Sequence, residues 1–577
     1  MKLSHQITKF GAKVTFLTTN STHARMTSAV SESESQNNMI HIIAIPDGLE
    51  MESGWKNQEK LHESVHRVMP GYLEDLLKKT NQTPQNSDDR ISGVIVDSPL
   101  AWMMGIPKKM GLKIGVFWCS SPGCLALGLK IPELIEEKII DNDGTPLNNK
   151  SIKLLPNMPE MTTTDLMWYF PGDKNIQKSI FHITKGTIHH TINNADWILC
   201  NWFTELDPTS HNLTPNILPI GPLLANGQSS GSFCPEDSTC LSWLNTQPKN
   251  SVIYVAFGST SKFTHQQLDE LANGLVLTGR PFLWVAWAGL VKDGPSPTYY
   301  IHNFMKRVGA QGKVVEWAPQ EAVLAHPSVA CFVTHCGWSS FMEGLSNGVP
   351  LVCWPYFGDQ MYTKSCVCGG WRVGVCLEGG GDEGGIIWRD EIRDKIEEVL
   401  CDGIIRGNAL KLKEKARISV GKGGSSLVNL EVTFVNTEHI HDKILTSGTS
   451  DQDTIQENNN NSINNNNIIL TSIPDGLSPE DDRNDGFKLL ESLKNTMSEA
   501  LVDLIEKINN SSKSDEKISC IIADTTVGWI LEIAEKMGIE SVGFSPSSAA
   551  SLAVILHIPK LIEQGRLDVN GKARKKK

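Results

Sequence analysis

Between Trp317 and Gln360 the chain reads WAPQEAVLAHPSVACFVTHCGWSSFMEGLSNGVPLVCWPYFGDQ, and these residue types at this spacing could hold a phosphorylated nucleoside. Residues 330–334 are apolar enough for a buried strand, which ends at His335-Cys336-Gly337-Trp338, and a helix begins near Ser339 and Ser340. Backbone N–H groups at a helix start, joined by small hydroxyl side chains, form a cradle for a diphosphate. Gly337 lets the backbone approach a ligand closely. His335 can donate a hydrogen bond to phosphate. Glu343 stands about one helical turn further on, where a carboxylate can accept from both hydroxyls of a ribose. Trp317 offers a flat apolar face to a pyrimidine ring. Taken singly, Trp317 would suit a core, His335 a structural role, and Asp359 with Gln360 a solvated loop; their joint spacing argues for a site. His326, Trp354 and Tyr356 read as packing residues.

The block resembles the nucleotide-sugar signature of the plant family 1 UDP-glycosyltransferases. The resemblance implies that Trp317 stacks on uracil and that Ala318 presents backbone groups to its edge. It implies ribose contacts from Gln320 and Glu343, and a diphosphate-binding turn built from His335, Gly337, Trp338, Ser339 and Ser340. Asp359 and Gln360 match the pair that binds the sugar hydroxyls, the glutamine usually accompanying glucose. Gly258, Ser259 and Ser261, in FGSTS, match a phosphate-side loop. The family usually has asparagine where Ser339 stands, so altered sugar-phosphate contact is expected. No metal or other cofactor is implied, because amides and histidine can meet the charge of UDP.

Inverting transfer needs a base that takes the acceptor's proton. In the family this is a histidine in the loop after the first N-terminal strand, held by an aspartate on a later strand end. Asp97, in VIVDSPLAW, matches the aspartate, although a helix cap is an equal reading of it. The histidine has no match: His5 falls on a helix marked by Leu3, Ile7 and Phe10, and His23 and His441 follow the second strand. The expectation is an N-terminally truncated first domain that lacks its central first strand, with unpaired neighbouring edges.

The elements that must position these residues alternate. Residues 13–19, 42–45, 93–97, 113–118, 251–257 and 331–334 read as buried strands, and 266–278 and 339–346 as helices. This implies an α/β chain of doubly wound, Rossmann-like domains with ligands at the carboxyl ends of the strands. The resemblance implies the GT-B arrangement of two such domains facing each other. Residues 114–129 read as a strand and turn. The chain also repeats itself: VTFLTTNSTH (14–23) matches VTFVNTEHIH (432–441), IPDGL recurs at 45–49 and 473–477, and Asp524 is the counterpart of Asp97. The expected domains are 1–220 for the acceptor, 221–430 for UDP-sugar, and 431–577 as a partial second copy of the first. Residues 226–232 read as a linker and the Asn-rich 458–467 as a disordered loop. The abrupt junction near Leu430 suggests a fusion of tandem copies, or a mis-assembled gene.

The 577 residues carry a formal charge of −12, with 40% hydrophobic and 20% charged residues, which excludes nucleic acid as the main partner. The basic tail 572–577 reads as a solvated terminus. Thirteen cysteines without framework spacing, a polar start and no spanning-length apolar run point to a cytoplasmic monomer with no membrane insertion. The expected function is transfer of glucose from UDP-glucose to a hydroxyl of a small lipophilic acceptor, with the run Trp168-Tyr169-Phe170 as a candidate acceptor wall or, equally, a packed part of the core. Two alternatives are a non-catalytic UDP-sugar-binding protein and, through residues 431–577, an interaction module.

Overall fold

The computed structural model describes residues 1–9, 12–29, 39–46, 48, 58–82, 91–153, 159–170, 173–214, 216–225, 235–287, 289–291, 309–378, 385–421, 424–428, 432–440, 468–478, 480–481, 483, 486–511, 518, 520–524, 527–544 and 560. The expected linker 226–232, the Asn-rich 458–467 and the basic tail lie outside them. Two units separate at Leu430/Glu431.

The first unit is built from parallel sheets. Strands β1 (Val14–Thr19) and β2 (Ile40–Ile45) pair with each other. Strands β3 (Gly93–Asp97), β4 (Lys113–Trp118), β5 (Trp197–Cys200) and β6 (Ile217–Pro219) form a four-stranded sheet in that order. The third sheet has the order β12-β11-β10-β7-β8-β9, with β7 (Val252–Ala256), β8 (Phe282–Val285), β9 (Gly312–Val315), β10 (Val329–Thr334), β11 (Leu351–Cys353) and β12 (Gly374–Cys376). Its central strands VIYVA and VACFVT are buried at every position, because helices cover both faces. By contrast, Ile95 on β3 remains 45% exposed.

Residues 114–129 are more than a strand and turn. After β4 a helix, Pro122–Leu129, runs through the core. Pro122 takes a first-turn position, where its missing N–H costs nothing, and Ser121 caps the helix by accepting from the Cys124 amide at 3.2 Å. Gly123 leaves room for the Tyr362 ring, so the helix seats directly on the helix Asp359–Ser365 from the other half of the unit. Asp165 adds a second cross-contact: it accepts from Lys364 Nζ at 2.7 Å and from Ser365 Oγ at 3.0 Å. Among the described residues no helix is long and apolar enough to cross a membrane.

The second unit pairs β13 (Val432–Thr437) with β14 (Ile468–Ile473), and β15 (Cys520–Asp524) with β16 (Glu540–Phe544). Helix Gly486–Ser511 supplies Leu493, Met497, Leu501 and Ile505 to its small core. The repeat is visible in detail. Pair β13–β14 has the six-residue parallel register of β1–β2. In each IPDGL the glycine has positive φ, +74° at Gly48 and +75° at Gly476. Each lies under helix side chains, Ser64 and Val68 in one unit, Ser492 and Thr496 in the other.

Gly123→Ala should lower the stability of the first unit by about 1–3 kcal/mol, the usual cost of overpacking. With Tyr362→Leu already in place the same alanine should cost less than half as much. Urea unfolding of the four chains of this cycle measures both.

Candidate functional site

A cavity of about 2050 Å³ opens between the sheets of the first unit. Its walls bring together Asp97, Gly258, Ser259, Trp317, Ala318, Gln320, Ser339, Ser340 and Glu343. Ser261, His335, Trp338 and Gln360 are buried beside these walls, and Gly337 and Asp359 are partly exposed.

The turn after β10 is the organising element. Thr334 Oγ1 accepts from the Cys336 amide at 3.2 Å, which bends the chain back as soon as the strand ends. Cys336 has φ +66°, a left-handed conformation that a non-glycine residue adopts at a cost of about 1–3 kcal/mol. Gly337 then leads into the helix Trp338–Ser346, whose start carries no side-chain cap of its own. The carboxylate of Asp359 takes that place: it accepts from the Trp338 N–H, and from Ser120 Oγ at 2.6 Å. Burial raises the pKa of Asp359, and these hydrogen bonds oppose the rise. The Trp338 ring is 2% exposed, packs on Phe341 and Trp371, and donates through Nε1 to the Asn201 carbonyl at 2.8 Å. Its side chain therefore fixes the turn.

His335 is wedged between two glycines. A Cβ at Gly258 would stand 2.8 Å from His335 Nε2, and one at Gly337 would stand 2.5 Å from it. Gly258 also has φ +67°, so both its space and its conformation favour glycine. Burial pushes the imidazole down to about 4, against the effect of its hydrogen bond to the Ala256 carbonyl, so the ring is neutral at pH 7. Its Nδ1 has no hydrogen-bond partner. A neutral ring that donates to Ala256 has an acceptor at Nδ1, so donation to a phosphate requires proton uptake.

Gln320 and Glu343 belong to a joined side-chain network. Gln320 Nε2 donates to Glu343 Oε2 at 2.7 Å and to Ser340 Oγ at 3.0 Å, while its carbonyl accepts from Tyr254 Oη at 3.2 Å. Lys2 enters the same site. Its ammonium stands 2.6 Å from Glu343 Oε1 and also pairs with Glu321. Burial would lower the Lys2 pKa, and the two carboxylates more than reverse this. Trp317 is partly exposed at the cavity, and its carbonyl accepts from the Asp237 amide at 3.0 Å. Gln360 is 5% exposed and turns its side-chain carbonyl back on the Tyr356 and Phe357 amides, at 2.8 and 3.1 Å. That leaves only its amide nitrogen uncommitted by these bonds.

Asp97 ends β3 on the opposite wall. Its carboxylate faces the cavity, and burial by the surrounding protein raises its pKa. As N-cap of the turn Ser98–Met104 it makes no side-chain cap bond. Trp168, in the aromatic run considered for the acceptor wall, is fully buried, with its Nε1 on the Gly144 carbonyl at 2.9 Å and its ring edge-on to Phe181. His326 bonds Ser328 and Asn245 and is structural. Lys2, Glu321, Ser120 and Asn201 were not legible as site residues. Their partners lie far away in sequence, and no local pattern marks them.

An unfolded histidine binds its proton near 6.5, whereas His335 in the fold waits until about 4. Stability should therefore fall with pH through that window, by about 3 kcal/mol from pH 7 to pH 4. His335→Gln should remove this slope, as read by urea unfolding at both pH values.

A family description, UDP-glucoronosyl and UDP-glucosyl transferase, matches residues 157–412. The chain is 39% identical over 447 residues to UDP-glycosyltransferase 83A1 of Arabidopsis thaliana, covering 76% of this chain and 92% of that protein. It is 30% identical to gallate 1-beta-glucosyltransferase 84A24 of Punica granatum, covering 79% and 89%. Among solved structures, Os79 of O. sativa in complex with UDP superposes with a TM-score of 0.61 at 23% identity, covering 74% of this chain and 94% of that one. Phytolacca americana UGT2, complexed with UDP-2fluoro-glucose and pterostilbene, gives a TM-score of 0.58 at 24% identity, covering 72% and 89%. The fold of the first unit is accordingly the GT-B fold, and the chain belongs to the plant UDP-glycosyltransferases.

Proposed function

We propose that the first unit transfers glucose from UDP-glucose to a hydroxyl of a small lipophilic acceptor, with inversion at the anomeric carbon. The observation that carries this reading is the joined Tyr254–Gln320–Ser340–Glu343 network at the foot of the helix Trp338–Ser346, with Trp317 on the same cavity. In it, Trp317 and Ala318 take the uracil, and Gln320 and Glu343 take the ribose. The amides of Gly337, Ser339 and Ser340, with the hydroxyls of Ser339 and Ser340, take the diphosphate, and Gly258, Ser259 and Ser261 border it from β7. Asp359 and Gln360 orient the sugar, and amides and hydroxyls suffice for the charge without a metal.

Asp97 matches the aspartate that holds the family's base histidine, and no histidine of this chain matches that base; a water held by Asp97 on the cavity wall would then take the acceptor's proton. UDP departs from the far face of the sugar. A second reading, UDP-sugar binding without transfer, draws on Lys2, whose ammonium already holds the ribose carboxylate Glu343. Entry of the donor must break that ion pair.

Two experiments test these assignments. Isothermal titration with UDP should show binding weakened about tenfold or more in Trp317→Ala, as expected for loss of a stacking face. Unchanged affinity in this variant would sink the donor-site reading. Transfer of labelled glucose from UDP-glucose to a panel of flavonoid and terpenoid alcohols should be detectable and should fall by about 10²-fold or more in Asp97→Asn, with UDP affinity preserved. A chain that binds UDP tightly and transfers nothing would favour the second reading.

A further inference from the structure

Behind the donor turn, the strand ends of the third sheet collect thiols. Cys353 is the last residue of β11 and is fully buried. Its thiol is a hydrogen-bond partner of both Cys336, in the diphosphate turn, and Cys368, in the irregular helical turn Cys366–Gly370. Cys336 is 1% exposed, whereas Cys368 is only partly covered. The charged groups that face Cys368 are Lys364 and Lys395, with Glu398 opposing them. The hydrogen bond from Cys353, aided by the two ammonium groups, holds Cys368 below the ordinary thiol range, and burial pushes Cys353 far above it. One sulfur is thus reachable and thiolate-prone, and its partner is sealed and protonated. This is the pairing of an attacking thiol with a resolving thiol. Cys366, two residues away, is fully buried, and its thiol is pushed well up by burial.

We propose that Cys368 and Cys353 form a peroxide-responsive modification site, which hydrogen peroxide converts to a disulfide close to the helix Asp359–Ser365. In the first step the Cys368 thiolate attacks one peroxide oxygen. An S–O bond forms, the O–O bond breaks, and the departing hydroxide takes up a proton to become water. In the second step Cys353 gives up its proton and attacks the Cys368 sulfur. The S–S bond forms, the S–O bond breaks, and a second water leaves. Two thiols are oxidised and one hydrogen peroxide is reduced, and a dithiol reverses the change. A disulfide brings the sulfurs to about 2 Å, so β11 must move towards residues 366–370. The end of β11 is tied to the donor turn, because the Trp354 N–H donates to the Thr334 carbonyl at 2.8 Å. Oxidation therefore displaces the segment that leads into Asp359.

The test is to titrate the intact chain with hydrogen peroxide, alkylate the remaining thiols, and digest with trypsin without reductant. Cleavage after Lys313, Lys364 and Arg372 places Cys353 on residues 314–364 and Cys368 on residues 365–372. The expected product is these two peptides joined, lighter by two hydrogens than their sum, with fragmentation locating the bond at Cys353 and Cys368. Cys353→Ala should leave a sulfenic acid on Cys368 that dimedone traps. Cys368→Ser should abolish both the crosslink and that adduct, while exposed Cys401 reacts as before. A crosslink through Cys336 or Cys366, a dimedone adduct on Cys401 with Cys368 still alkylated, or an undiminished crosslink in Cys368→Ser would overturn the proposal.

Discussion

The first unit turns on one hydrogen bond: Ser120 Oγ, at the end of β4, donates to the Asp359 carboxylate at 2.6 Å. Asp359 also receives the Trp338 N–H, so a single carboxylate ties the start of one helix to the end of a strand in the facing sheet. A carboxylate surrounded by protein is expensive unless its oxygens are occupied. Trp338 donates from the same half, and Ser120 supplies the second donor only while the halves are closed. The neighbouring contacts enforce the closure: Tyr362 seats on Gly123, Asp165 holds Lys364 and Ser365, and Trp338 reaches the Asn201 carbonyl. The donor site and the domain interface are therefore the same structure viewed from two sides.

Strain is stored at the same place. A left-handed Cys336 between His335 and Gly337 is unfavourable by itself, and His335 keeps an unpartnered nitrogen in a neutral, buried ring. Packing against Gly258 and Gly337 leaves the ring no alternative position. Folding energy is thereby converted into a fixed arrangement of backbone amides at the start of a helix, the preorganisation that anion recognition needs.

The sequence made this local arrangement readable because the functional residues of the block 317–360 sit at fixed short spacing and share one strand–turn–helix. Strands β7 and β10 were readable because burial on both faces leaves apolar runs, and the repeat was readable from IPDGL alone. The helix Pro122–Leu129 was hidden because Pro122 and Gly123 look like a turn, yet proline is at home in a first turn and glycine is required there by Tyr362. Ser120, Asn201, Lys2 and Glu321 acquire their roles from partners brought near only by the tertiary fold, so spacing carries no trace of them. For the aromatic run at Trp168 the sequence left an acceptor wall and core packing equally open, and a fully buried indole with its N–H satisfied belongs to the core.

Every carboxylate at the donor end is already served. Glu343 holds Gln320 and Lys2, Glu321 holds Lys2 and the Ala225 amide, and Asp359 holds Ser120 and Trp338. A ligand hydroxyl arriving at any of them replaces a bond instead of adding one, so its net contribution is the small difference between two hydrogen bonds. Affinity must then come chiefly from what is unmade before binding: the amides of Gly337, Ser339 and Ser340 and the exposed face of Trp317. Selectivity follows from the exchange itself. Only a ligand whose hydroxyls match the positions of the displaced donors leaves no carboxylate unpaired, and each mismatch leaves a charge uncompensated inside the cavity.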